Sequence, residues 1–89
     1  MPTVLRADLA DDDRLDALTE ELIRRGIVPA GEFGEHLVWT QAEHALKLGS
    51  DPGALFASNV RAKAWTRPSA AAERRALARW KKHRERAER

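Results

Sequence analysis

The sequence predicts a small all-α domain of four or five helices, and three observations lead to this class. Apolar residues recur every three or four positions through most of the 89-residue chain, which is the period of an amphipathic helix. Three of the repeating stretches begin at Asp11, Asp51 or Ser69, and these residue types cap helix N-termini. Two of the stretches end at Gly26 or Gly49, as is typical of helix C-termini.

The first helix is predicted to begin at Asp11–Asp13, whose carboxylates can bind the free amides of its first turn. Gly26 suits the left-handed position that closes a helix. The preceding residues, 1–10, show no sustained period and are predicted to be a flexible lead-in. We interpret the three aspartates as a cap and not as a calcium site, because calcium loops alternate their ligands and need a glycine turn. The buried stripe of this helix comprises Leu15, Leu18, Leu22 and Ile23.

Residues 30–48 have a helical but less regular pattern. We expect either one bent helix or two short helices that meet near Trp39 and Thr40. His36 and His44 lack the spacing of zinc and di-iron motifs, so we interpret them as surface or half-buried side chains and predict no metal site. The apolar surface of this stretch comprises Phe33, Leu37, Val38, Ala42, Ala45 and Leu48.

The chain is organised around residues 50–65, which are predicted to form a helix after a tight turn. Asp51 directly before Pro52 is a helix-start signal, because proline is favoured at the first helical position. The apolar stripe of this helix comprises Leu55, Phe56, Val60 and Ala64.

Together with the preceding helix, this stretch has a partial helix-turn-helix pattern. Ala45, Gly49 and Leu55 fall at the spacing of the small residue, the turn glycine and the apolar residue that packs back. Ser50 departs from the motif, since the residue after the glycine is usually apolar. The sequence therefore leaves two interpretations open: the helix pair reads DNA, or it only packs the core.

A long final helix is predicted over residues 70–89, after a break at Pro68. Its docking face comprises Ala72, Ala76, Leu77 and Trp80. Beyond Trp80 the residues are polar on every side, so this end should project into solvent, fray or gain order on a partner. We therefore divide the chain into a lead-in (1–10), a helical domain (11–80) and a basic helical tail (81–89).

The charge of the chain is strongly divided, although the net charge is only +2. Residues 1–59 contain five basic and eleven acidic residues, a net charge of −6, whereas residues 60–89 contain eleven basic and three acidic residues, a net charge of +8. A basic surface of this kind is expected to bind nucleic acid or an acidic partner. A solvated charged helix with no partner is the alternative.

If the basic half binds DNA, Asn59 could address adenine edges while the cations bind phosphates. The acidic first helix would then face away from DNA or toward a protein partner. Should the cationic third pair instead with the chain's own aspartate-rich start, the argument for polynucleotide binding would fail. The candidate nucleic-acid contacts are Ser58, Asn59, Arg61, Lys63, Arg67, Arg74, Arg75, Arg79, Lys81, Lys82 and Arg84.

Other classes of function are disfavoured by the composition. The chain has no cysteine, which excludes disulfides and thiolate sites. The serines lack a histidine–carboxylate pattern and the glycines form no phosphate-binding loop, so we predict neither enzymatic activity nor a cofactor. No apolar run approaches the roughly 20 residues of a membrane span, and a cytoplasmic location is expected.

The chain contains the run Asp51-Pro52-Gly53-Ala54-Leu55-Phe56 with Val60-Arg61, preceded by the helix end Leu22-Ile23-x-x-Gly26-Ile27. This pattern resembles the helical C-terminal parts of plasmid and phage replication-initiation proteins, and the resemblance covers roughly residues 22–84. The chain departs at Asp51, where asparagine is usual, and it lacks the large N-terminal DNA-binding part of such proteins. The resemblance implies a replication or mobile-element context without implying initiator activity.

These observations predict a non-enzymatic protein that binds nucleic acid, double-stranded DNA in particular, as a replication or transcription accessory factor of a mobile element. The alternative is a helical adaptor or phage-type inhibitor that docks on a larger protein. The small, alanine-rich core also fits a homodimer.

Overall fold

Helix α3 is the centre of the fold, and the other four helices are arranged around it. A computed structural model describes residues 4–61 and 69–87, in which all regular secondary structure is α-helical. This confirms the predicted all-α class. Helix α3 packs against each of the other helices. The helices are α1 (Arg6–Ala10), α2 (Asp12–Arg24), α3 (Glu32–Leu48), α4 (Pro52–Arg61) and α5 (Ala70–Ala87).

The start of the chain belongs to the core, which corrects the expectation of a flexible lead-in for residues 4–10. Val4 and Leu9 are buried, and α1 packs against α2, α3 and α4. Its N-terminus is closed by a hydrogen bond from the Leu5 amide to Asp8 Oδ2 (2.9 Å). The helix has only five residues, too few to produce a recognisable helical period.

The predicted boundaries of α2 are confirmed. Asp11 Oδ1 accepts hydrogen bonds from the amides of Asp13 (3.0 Å) and Arg14 (3.1 Å). At the other end Gly26 has a φ of +72°, and the amide of Ile27 donates back to the Leu22 carbonyl (2.9 Å). Helix α2 therefore begins and ends through bonds between near neighbours in the sequence.

Helix α3 is a single helix from Glu32 to Leu48. Trp39 and Thr40, the expected junction of two short helices, are buried in its middle. The predicted apolar surface is wrong at both ends, because Phe33 is 69% exposed and Leu48 is 65% exposed. Both residues lie at the ends of α3, whereas its buried residues lie between them.

Helix α4 follows a three-residue turn, and its predicted cap is confirmed by a hydrogen bond from the Ala54 amide to Asp51 Oδ1 (3.2 Å). Phe56 and Val60 are buried as predicted, while Ala64 lies outside the described residues. Gly53 permits a close approach to the start of the chain, since a Cβ atom there would stand 1.9 Å from the Val4 carbonyl oxygen.

Helix α5 lies antiparallel on α3. Near its N-terminal end Arg75 meets Glu43 (Nε–Oε2 3.5 Å), and farther along Trp80 Nε1 donates to Glu35 Oε1 (3.5 Å). The predicted docking residues Ala72, Ala76 and Trp80 are buried. The helix does not become a projecting tail after Trp80, because His83 is only 12% exposed.

Candidate interaction surfaces

On the inner side of α5, which faces the rest of the fold, basic side chains pair with carboxylates from the acidic part of the chain. Arg79 is at the centre, with a side chain only 16% exposed. Its guanidinium binds Asp12 at the start of α2 and Glu43 on α3 (Nη1–Oε1 3.3 Å). The same guanidinium lies over the ring of Trp39, with 5.1 Å from Cζ to the ring centroid. Arg79 therefore links three elements of the fold.

Further pairs extend this contact in both directions along α5. Asp12 also binds Arg86 (Oδ2–Nη2 2.7 Å), and Glu43 also binds Arg75 (Oε2–Nε 3.5 Å). Glu35 lies 3.9 Å from Arg84 Nη1. Asp12 and Glu43 thus each bind two arginines.

His83, in the last turns of α5, faces the first turns of α2. Its Nε2 lies 3.7 Å from Asp16 Oδ2 and its Nδ1 lies 3.9 Å from Asp13 Oδ1. Its ring centroid is 5.5 Å from that of Trp39. The acidic first half of the chain therefore faces α5 and compensates much of its charge within the molecule.

The sequence did contain a signal for this arrangement. Arg75 and Arg79 each directly precede a docking residue, Ala76 or Trp80, and a side chain beside a docking stripe borders the neighbouring helix. The predicted contacts Arg75, Arg79 and Arg84 consequently lie on ion pairs and not on a free cationic surface.

The outer side of α5, which faces solvent, has fewer cations than the inner side. Arg74, Lys81 and Lys82 are exposed and have no ion-pair partner in the described part of the chain. Glu85 shares their side of the helix, because it lies eleven residues, or about three turns, after Arg74. The exposed strip thus holds three cations and one carboxylate.

Helix α4 presents a small polar face. Ser58 and Arg61 are exposed and Asn59 is half-buried. The Arg61 guanidinium turns back along its own helix and donates to the Ala57 carbonyl (3.4 Å). The remaining predicted contacts, Lys63 and Arg67, lie outside the described residues.

Two exposed leucines flank the N-terminus of α4, a feature that the sequence pattern did not indicate. Leu5 is 57% exposed, and its Cα lies 3.3 Å from the position of a Cβ on Gly53. Leu48 precedes Gly49, where a Cβ would lie 3.2 Å from the Cα of Pro52. We call this region, formed by Leu5, Leu48 and the exposed Ala54, the leucine end. Phe33 lies fifteen residues before Leu48 on α3, about 22 Å away.

An open cleft of about 530 Å³ lies beside the start of α2, lined by Asp11–Asp13, His83 and Arg86 among others. Its carboxylates already serve as a helix cap and as ion-pair partners. Within residues 4–61 and 69–87, no group of three or more metal-binding side chains converges. His36 packs edge-on against the Trp80 ring, with 4.4 Å between centroids.

None of the described helices is both long and apolar enough to cross a membrane. Comparison of the chain with protein-family models, curated proteins and solved structures gave no match.

Proposed function

We propose that this protein is a non-enzymatic interaction module that docks on another protein through the leucine end. The observation that carries this proposal is the exposure of Leu5 and Leu48, which belong to two chain segments that both approach the first residues of α4. In contrast, Leu9, Leu15 and Leu22 are fully buried in the core.

The energetic contribution of the two leucines is substantial for a small interface. Complete burial of a leucine side chain stabilises by about 1.5–3 kcal/mol. Since more than half of Leu5 and of Leu48 is exposed, a partner that covers both would gain about 2–3 kcal/mol. This gain corresponds to an affinity roughly 30- to 160-fold higher.

The internal ion pairs also favour a protein partner over a polyanion. Binding of a phosphate by Arg79 or Arg86 requires the guanidinium to give up Asp12. The counterion release that normally drives association with nucleic acid is then reduced, because these cations are already neutralised by carboxylates. Docking on exposed leucines, in contrast, does not require an internal ion pair to break.

Affinity capture from nuclease-treated lysate tests the proposal, with the tagged full-length chain as bait. The wild-type chain should retain one stoichiometric protein partner, and the double variant Leu5→Ser/Leu48→Ser should lose it. Phe33→Ser is the matched control, because it removes an equally exposed apolar side chain at the other end of α3. Equal capture by the wild type and the leucine variant would contradict docking at this end.

A second candidate function is binding of double-stranded DNA, in the replication or transcription context that the sequence resemblance implies. The pairing of Arg79 and Arg86 with Asp12 removes the argument from the charge division of the sequence. The observation that remains in favour of this function is that α5 has three exposed cations without a carboxylate partner in the described structure, Arg74, Lys81 and Lys82. Ser58, Asn59 and Arg61 on α4 could add contacts to bases or phosphates.

This second function predicts duplex binding in a mobility-shift assay that weakens steeply between 50 and 200 mM salt. The variant R74E/K81E/K82E should abolish the shift. R6E/R14E/K47E makes the same change in net charge at exposed cations outside α5 that have no ion-pair partner in the described structure, and it should retain binding. Equal loss in both variants would indicate a nonspecific effect of charge and would contradict a role for the outer side of α5.

A further inference from the structure

The last two turns of α5, residues 81–87, are held to the fold differently from its first three turns. The buried docking residues Ala72, Ala76 and Trp80 all lie in the earlier turns. After Trp80, the only described apolar residue is the exposed Ala87. What holds these last turns is therefore a set of polar contacts, together with the packing of Arg84 on the Trp80 ring and of His83 on the Trp39 ring.

These polar contacts involve His83, Arg84 and Arg86. Arg86 binds Asp12, Arg84 approaches Glu35, and His83 lies between two carboxylates of α2. The Arg84 and Arg86 side chains remain 43% and 64% exposed. Contacts this exposed are screened by salt and individually weak.

We propose that residues 81–87 form a masked phosphate-binding segment, which a nucleic-acid backbone opens by displacing the carboxylates of Asp12 and Glu35. The opening releases His83, Arg84 and Arg86 beside the exposed Lys81 and Lys82. Five basic side chains then lie within six residues, while Ala72, Ala76 and Trp80 keep the first part of α5 on α3.

Two geometric observations support this division of α5. Arg79 lies on the earlier turns and keeps its pair with Glu43 when the segment opens, although it loses its bond to Asp12. The ring centroid of His83 lies 5.5 Å from that of Trp39, so its departure changes the surroundings of the core tryptophan. The carboxylates thus take the place of phosphate inside the molecule. A polyanion must bind these cations more strongly than the carboxylates do in order to displace them.

This inference rests on the second candidate function, duplex binding, and it predicts that removing the masking carboxylates strengthens binding. D12N/E35Q should bind a 20-base-pair duplex at least fivefold more tightly than the wild type at 50 mM salt. The slope of log K against log salt should steepen by about two, one for each cation that gains a phosphate. E20Q/E32Q is the matched control, because it makes the same charge change at carboxylates that hold no described residue of α5.

Inorganic polyphosphate provides a second arm of the experiment. If the phosphate backbone alone opens the segment, D12N/E35Q should gain affinity for polyphosphate as well. A gain for duplex but not for polyphosphate would overturn the proposal that backbone phosphate is the ligand.

A measurement on the wild-type chain makes the test independent of the variants' stability. The indole N–H of Trp39 is buried and has no hydrogen-bond partner among the described residues. Its ¹⁵N–¹H resonance, assigned with W39F, should shift when duplex is added, because His83 leaves the ring.

The outcomes separate the two claims. Absence of duplex binding by the wild type and by D12N/E35Q would overturn both the second candidate function and this inference. Duplex binding with equal affinity in D12N/E35Q and E20Q/E32Q, or without a shift of Trp39, would overturn the masking alone.

Discussion

Replacement of Arg79 by methionine tests whether α5 is held by internal charge pairing. Methionine retains an unbranched side chain that can pack on Trp39 but removes the pairs with Asp12 and Glu43. Breaking a fully buried pair by removing one partner costs about 3–5 kcal/mol. The expected cost here is smaller, because the Asp12 and Glu43 side chains are 23% and 17% exposed and each keeps a second arginine.

We therefore expect Arg79→Met to lower the free energy of unfolding by about 2 kcal/mol. In a domain of this size that corresponds to a decrease in Tm of about 8–16 °C. Urea denaturation followed by circular dichroism at 222 nm measures the first quantity, and a thermal scan measures the second.

Arg74→Met is the control, since it makes the same chemical change on the same helix at an exposed residue without a described ion-pair partner. Its effect should stay within about 0.5 kcal/mol. The deficit of Arg79→Met should also shrink at 1 M salt, where the Debye length falls to about 3 Å. If the two variants were equally stable in low salt, the internal neutralisation of α5 would be refuted.

Three further substitutions test the packing and the caps. Gly53→Ala should destabilise by about 2 kcal/mol despite the better helix propensity of alanine, because its Cβ would stand 1.9 Å from the Val4 carbonyl oxygen. An unchanged urea midpoint would show that Val4 does not lie against Gly53. Asp11→Ala should cost about 1 kcal/mol by removing the cap of α2, whereas Asp11→Asn should cost less than half of that by the same assay. Gly26→Ala should cost about 1 kcal/mol in unfolding free energy because φ is +72°, and a neutral result would contradict the left-handed conformation.

The structure also divides the predicted nucleic-acid contacts in a way that the count of basic residues did not. Arg74 and Arg75 are neighbours in the chain, yet Arg74 faces solvent and Arg75 contacts Glu43. A hundred-degree rotation per residue separates adjacent side chains on a helix. The count of basic residues therefore overstated the free cationic surface, because it took no account of which side of α5 faces α3.

Residue type and spacing alone predict the features of this protein that depend on near neighbours in the chain. The caps at Asp11, Asp51 and Ser69 act across two or three residues, and Gly26 closes α2 through its own φ. Each of these interactions is fixed by local backbone geometry, so residue type and spacing are sufficient to predict it.

The contacts between distant segments, in contrast, depend on how the helices pack together. Asp12 and Arg79 are 67 residues apart, and their pairing depends on how α2, α3 and α5 are arranged in space. Leu48 continues the apolar pattern of α3, yet it is 65% exposed because no distant segment covers it in the described structure. Helical periodicity shows which side chains share a face. Whether another element covers this face, and which one, depends on the packing of the whole chain.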